Sequence, residues 1–121
     1  MIEPGQLDAN GVARHLLALS RELEKVTQQL NEEDIRATEL AEDAKLAEAK
    51  AFVRVSGSVD FRKSQAVIET HDIRLAARVS EATVRGLQRT VRTLQSRIDV
   101  GRSHGATVRA EVQLAGRGEG A

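Results

Sequence analysis

The chain of 121 residues contains no cysteine, no tryptophan and no tyrosine, and only one proline and two phenylalanines. Without cysteine there are no disulfides and no thiolate zinc sites, which fits a reducing compartment without demanding one. With Phe52 and Phe61 as the only aromatics, the apolar content is mostly Ala, Val and Leu. These residues fill thin helix seams rather than a thick core. No stretch approaches the roughly 20 apolar residues of a membrane span. Met1 to Ala13 carries Glu3 and Asp8 and no basic start leading into an apolar core, so no secretion signal is expected. The expectation is a soluble cytoplasmic protein with no membrane partner.

What is present is one seam. Ile73, Ala77, Ser80, Val84, Leu87, Val91, Leu94, Ile98, Gly101, Gly105, Val108 and Val112 follow one another at alternating spacings of four and three, the a/d repeat of a coiled coil. Beside it run Arg74, Arg78, Arg85, Arg89, Arg92, Arg97, Arg102 and Arg109. One long helix therefore offers an apolar stripe to partners and a cationic flank to solvent.

Net charge is zero, but residues 1–50 carry eleven acidic and six basic side chains, and residues 51–121 seven acidic and twelve basic. The halves are thus −5 and +5. Antiparallel packing, within a chain or between chains, would use that complementarity. The functional alternative is a polyanion on the basic half. Residues 74–109 hold eight Arg, no Lys, and only Glu81 and Asp99 as acids. Guanidinium binds phosphate bidentately and is weakly hydrated, so an all-Arg strip suits phosphate recognition better than solubility alone.

Organisation along the chain is simple. Residues 1–10, holding Pro4, read as a flexible entry; residues 11–114 as a helical domain; residues 115–121 as a flexible tail. From Gly11 to Val55 nothing interrupts a run of strong helix formers, a helix of roughly 65 Å. Its apolar stripes are Leu16, Leu19, Leu23, Val26 and Leu30, then Ala37, Leu40, Ala44, Ala47 and Ala51. The acidic stretch Asn31 to Asp34 between them marks a bend or a second helix start. Ser56-Gly57-Ser58 predicts a turn in which Gly57 supplies positive φ, Ser58 caps the next helix and Asp60 lies in its first turn. Phe52 and Phe61 flank the tip, where they can pack on each other. The fold class expected is all-α: a long antiparallel helical hairpin with a short C-terminal helix, coiled-coil-like packing and an oligomeric state. Gly101 and Gly105 either allow close helix approach or mark a break, with Ser103 capping a final helix to about Leu114.

Chemistry-bearing constellations are few. His15, His71 and His104 lie far apart, outside any metal-ligand pattern, and read as surface histidines. Glu32, Glu33, Asp34, Glu39, Glu42 and Asp43 read as a solvated or ion-paired face. Gly57 is isolated and belongs to no phosphate loop. No enzyme, metal or cofactor is expected. Two helices with so few large side chains bury little area at about 25 cal/mol per Å², so homo-oligomerisation is expected along Val84, Leu87, Val91, Leu94 and Ile98.

The order of elements is an arm, an aromatic near a Ser-Gly tip, Phe61-Arg62-Lys63-Ser64, a long return helix, and Leu94 to Arg109 with its Arg102-Ser103-His104-Gly105 segment. Over roughly residues 37–111 this layout resembles the UvsY-type recombination mediators of phages. The resemblance implies a non-enzymatic ring that binds single-stranded DNA, remodels the single-strand-binding protein and loads a recombinase. By matching positions it places DNA contacts at Arg62, Lys63, Arg97, Arg102, Ser103 and Arg109, beside Arg85, Arg89 and Arg92 from the strip. The scarcity of aromatics departs from base-stacking grips, so contact with the backbone is expected; about five phosphates neutralised per protomer give a salt slope near −3.5. The alternative is a phage structural or assembly protein whose helical hairpins form a scaffold without nucleic acid. Secreted helical-hairpin effectors with a Trp-x-Gly turn are a third possibility, weakened because Val55-Ser56-Gly57 lacks the Trp.

Overall fold

The structure is a computed structural model that describes residues 9–119. It is all-helical over that range: α1 (Ala9–Arg54), α2 (Val59–Glu69) and α3 (His71–Glu119). Residues 1–8 and 120–121, and with them most of the flexible entry and the end of the tail, lie outside the described residues; Ala9 and Asn10 are helical.

α1 passes through Asn31 to Asp34 without a second start. The reason is phase. Leu30, Glu33, Ala37, Leu40, Ala44, Ala47 and Ala51 keep the alternating spacing of three and four, and all are buried or half-buried. Glu33 simply occupies one position of an unbroken stripe.

The turn forms as its residues dictate. Gly57 has φ +127°, a region that residues with a Cβ rarely occupy. Ser58 is the N-cap of α2, its Oγ accepting from the Phe61 N–H at 3.2 Å, with Asp60 in the first turn. The return arm is not one continuous helix, however. It is interrupted at Thr70 (φ −104°, ψ 13°), which caps α2 through its own N–H. The buried Thr70 hydroxyl donates to the Ala66 carbonyl at 2.7 Å, the back-bonding that bends helices. Helical bonding resumes at once, Arg74 N–H to Thr70 C=O at 3.1 Å, so Ala66, Thr70, Ile73 and Ala77 keep the buried phase across the joint.

The chain divides into two units. In the first, residues 28–88, contacts run in opposite chain directions: Glu33 with Ser80, Arg54 with Glu69 and Phe52 with Arg62. Its buried apolar residues are Ala37, Ala44, Ala51, Ala66, Ala77 and Val84, a thin interior of small side chains. In the second, residues 1–27 and 89–121, Val12, Val26, Leu94 and Ile98 are buried. There, a Cβ on Gly101 would meet Leu16 Cδ2 at 2.7 Å, and one on Gly105 would meet Val12 Cγ1 at 3.1 Å.

Several expectations are corrected. Gly101 and Gly105 permit close approach and do not break α3, so among the described residues there is no separate short C-terminal helix. Residues 115–119 continue α3, although every residue from Arg109 to Arg117 is exposed; propagation adds one bond per residue fixed, so a packed helix extends beyond its packing. Val112, placed on the seam by spacing, is 63% exposed, and the seam ends at Val108. Val84, Leu94 and Ile98 are buried, and Leu87 and Val91 half-buried, within a single chain. Of the stripe expected to join copies, Leu87 and Val91 keep part of their surface exposed.

Candidate nucleic-acid interface

Seven-residue and three-residue spacings decide where the arginines point. Arg102 and Arg109 each directly follow a seam residue, Gly101 and Val108, and lie on one flank of α3; Arg97 directly precedes Ile98 and lies on the other. Arg89 and Arg92, three apart, sit on neighbouring turns of the face turned from the seam. All five are exposed and belong to the unit of residues 1–27 and 89–121. Ser103 is exposed on the same stretch. The single row expected from sequence is therefore an outer pair with one arginine on one flank and two on the other. In the unit of residues 28–88, Arg78 and Arg85 are exposed and Arg74 half-buried.

Arg62 and Lys63 part company. Arg62 lies over the Phe52 ring, 4.1 Å from its centroid, and its Nε donates to the Phe52 carbonyl at 3.0 Å. Such a cation–π contact contributes about 0.5–2 kcal/mol, so Arg62 fastens the turn instead of facing outward. The expected pairing of Phe52 with Phe61 gives way to this contact: Phe61 is 54% exposed, its ring beside Gly57. Lys63 is exposed.

Electrostatic pairing is sparse. Among the described residues, ion pairs join Lys45 to Glu42 at 3.4 Å, Arg54 to Glu69, His71 to Asp72 at 3.2 Å, and Arg102 to Asp99 at 4.0 Å. Arg74, Arg78, Arg85, Arg89, Arg92, Arg97 and Arg109 are in none. The one bridge between α1 and α2, Arg54 to Glu69, takes its base from α1 and its acid from α2. Both residues belong to the basic half, residues 51–121, so this bridge does not draw on the charge difference between the halves.

Two residues carry features that spacing alone did not single out. Glu33 accepts from the buried Ser80 hydroxyl at 2.6 Å; its phase with Leu30 and Ala37 was the available signal. His104, read as a surface residue, is half-buried, with Nε2 buried and without a hydrogen-bond partner. It precedes Gly105 on the packed side of α3, and that adjacency was the signal. Among the described residues no group of three or more His, Asp or Glu is placed to hold a metal ion, and no helix is long and apolar enough to cross a membrane. Compared with protein-family models, curated proteins and solved structures, the chain matches none.

Proposed function

We propose that this protein is non-catalytic and binds the backbone of single-stranded DNA through Arg89, Arg92, Arg97, Arg102 and Arg109. The observation that supports it is that four of these five are exposed and in no ion pair, and Arg102 reaches Asp99 only at 4.0 Å. A helical surface made for solubility or intrachain pairing would place acids within reach. The UvsY-type reading supplies the substrate and the role, loading of a recombinase past a single-strand-binding protein, on a coiled-coil-like helical hairpin that assembles into a homo-oligomer. It loses one element of its layout, since the segment Arg102-Ser103-His104-Gly105 lies inside α3 and no short helix follows. Arg62 leaves the proposed contact set because it is committed to Phe52.

Fluorescence anisotropy with a labelled single strand at two salt concentrations tests this. Affinity that falls with a log–log slope near −3.5, about five phosphates, is the expected result. Arg89→Ala with Arg92→Ala, and separately Arg102→Ala with Arg109→Ala, should each weaken binding and flatten that slope. Wild-type protein that fails to bind at low salt overturns the reading in favour of a scaffold without nucleic acid.

A further inference from the structure

In the unit of residues 28–88 the usual partition of side chains is inverted. Five of its buried apolar residues are Ala, whereas Ile68, Leu75 and Val79 are 67%, 50% and 57% exposed. Ile35, Leu46, Val53, Val59, Phe61 and Val67 of the same unit are exposed as well, but Ile68, Leu75 and Val79 share one face. With Ala82 they fall at i, i+7, i+11 and i+14, one face of a helix. The buried phase runs unbroken through Thr70, so the opposite face runs unbroken too. Leu75 is a ridge between two grooves, one with Asp72, Ala76, Val79 and Glu33 of α1, the other with His71, Arg74 and Arg78. A third groove adjoins Ile68. A ridge flanked by grooves is the relief that accepts another helix.

The face is also self-complementary in charge about Leu75, though not in its apolar members, since Val79 mirrors His71. About Leu75, Asp72 and Arg78 are each three residues away, and Ile68 and Ala82 each seven. Two copies packed antiparallel on a two-fold axis at Leu75 would set Asp72 of each opposite Arg78 of the other, and Ile68 opposite Ala82. Asp72 and Arg78 are exposed; Arg78 is in no ion pair within the chain, and Asp72 meets only the neighbouring His71, at 3.2 Å. Self-complementarity of this kind is what an isologous interface requires.

We propose that the face from Ile68 to Ala82 is a homodimer interface, with Leu75 on the two-fold axis and reciprocal Asp72–Arg78 pairs. It shares no residue with the arginines assigned to DNA. The contact spans about 21 Å of helix on each copy, and the dimer is expected to be concentration-dependent.

Sedimentation equilibrium of the full chain across micromolar to millimolar concentration should fit a monomer–dimer equilibrium. Leu75→Glu should be monomeric throughout, with helicity by circular dichroism unchanged because the site is exposed. Asp72→Arg and Arg78→Asp should each be monomeric alone, since both place like charges opposite one another. Mixed in equal parts, the two variants should dimerise, because every cross-pair is then of opposite sign. Four results overturn the proposal: a wild-type monomer at millimolar concentration, an oligomer indifferent to Leu75→Glu, mixed variants that stay apart, or a face that engages only vesicles or another protein.

Discussion

The Ser80 hydroxyl donates to Glu33 Oε1 at 2.6 Å, placing one charge-assisted hydrogen bond inside a largely apolar stripe rich in alanine. Bonds to charged groups contribute about 1.5–3 kcal/mol. Ser80→Ala is therefore expected to lower unfolding free energy by about 1–3 kcal/mol in urea titration, since Glu33 is left half-buried without its donor. Glu33→Leu combined with Ser80→Ala should recover most of that loss or exceed wild type, because replacing both partners removes the unsatisfied group. A double variant no better than Ser80→Ala would rule this out.

At the turn, Gly57→Ala meets two obstacles. Its φ of +127° strains any residue with a Cβ, and the new atom would lie 3.0 Å from Phe61 Cδ1. A loss of about 1–3 kcal/mol is expected. Ser58→Ala removes only the cap to Phe61 N–H, at about 1 kcal/mol. Thermal melts should rank the two variants in that order.

Arg62→Ala separates fastening from binding. It should lower the melting temperature by removing the contact with Phe52, and leave single-strand affinity unchanged within error. A loss of affinity comparable to that of the outer arginine variants would return Arg62 to the contact set.

The glycines of α3 differ in their surroundings. Gly101→Leu and Gly105→Leu drive a side chain into Leu16 and Val12, and overpacking costs typically about 1–3 kcal/mol. A Cβ on Gly116 would meet nothing within 4 Å, so Gly116→Leu should be neutral or stabilising through helix propensity. Equal melting temperatures for Gly101→Leu and Gly116→Leu would contradict the close approach.

His104→Leu should raise stability by about 1 kcal/mol, since it removes a buried ring nitrogen without a partner. A lower midpoint in urea would show that His104 has a partner in solution.

Local rules made much of this legible. Gly57, Ser58 and Asp60 announce their turn through conformations and caps confined to four residues, and alternating spacing placed Ile73 through Val108 on one buried face. What spacing does not encode is which surface answers that face. The stripe of Val84, Leu87, Val91, Leu94 and Ile98 reads identically whether its cover comes from the same chain or another copy; the same chain buries Val84, Leu94 and Ile98 and leaves Leu87 and Val91 half-buried. Leu94→Asp should accordingly unfold its unit and not merely dissociate an oligomer. Nor does composition reveal that Arg62 turns inward while Lys63 stays out, because that depends on where the Phe52 ring and carbonyl fall. Thr70 is hidden for a similar reason: a threonine within a helical pattern looks ordinary until its hydroxyl and the Ala66 carbonyl are both buried.

The contact of Arg62 with Phe52 has an optical consequence. The chain has no tryptophan or tyrosine, and both phenylalanines lie within five residues of Gly57. Its whole aromatic ultraviolet spectrum therefore originates at one end of one unit. Near-ultraviolet dichroism is a private gauge of the turn, silent about the remainder of the chain, and backbone dichroism must follow everything else. A temperature at which the two signals depart from each other would mark the tip opening independently of the helices it joins.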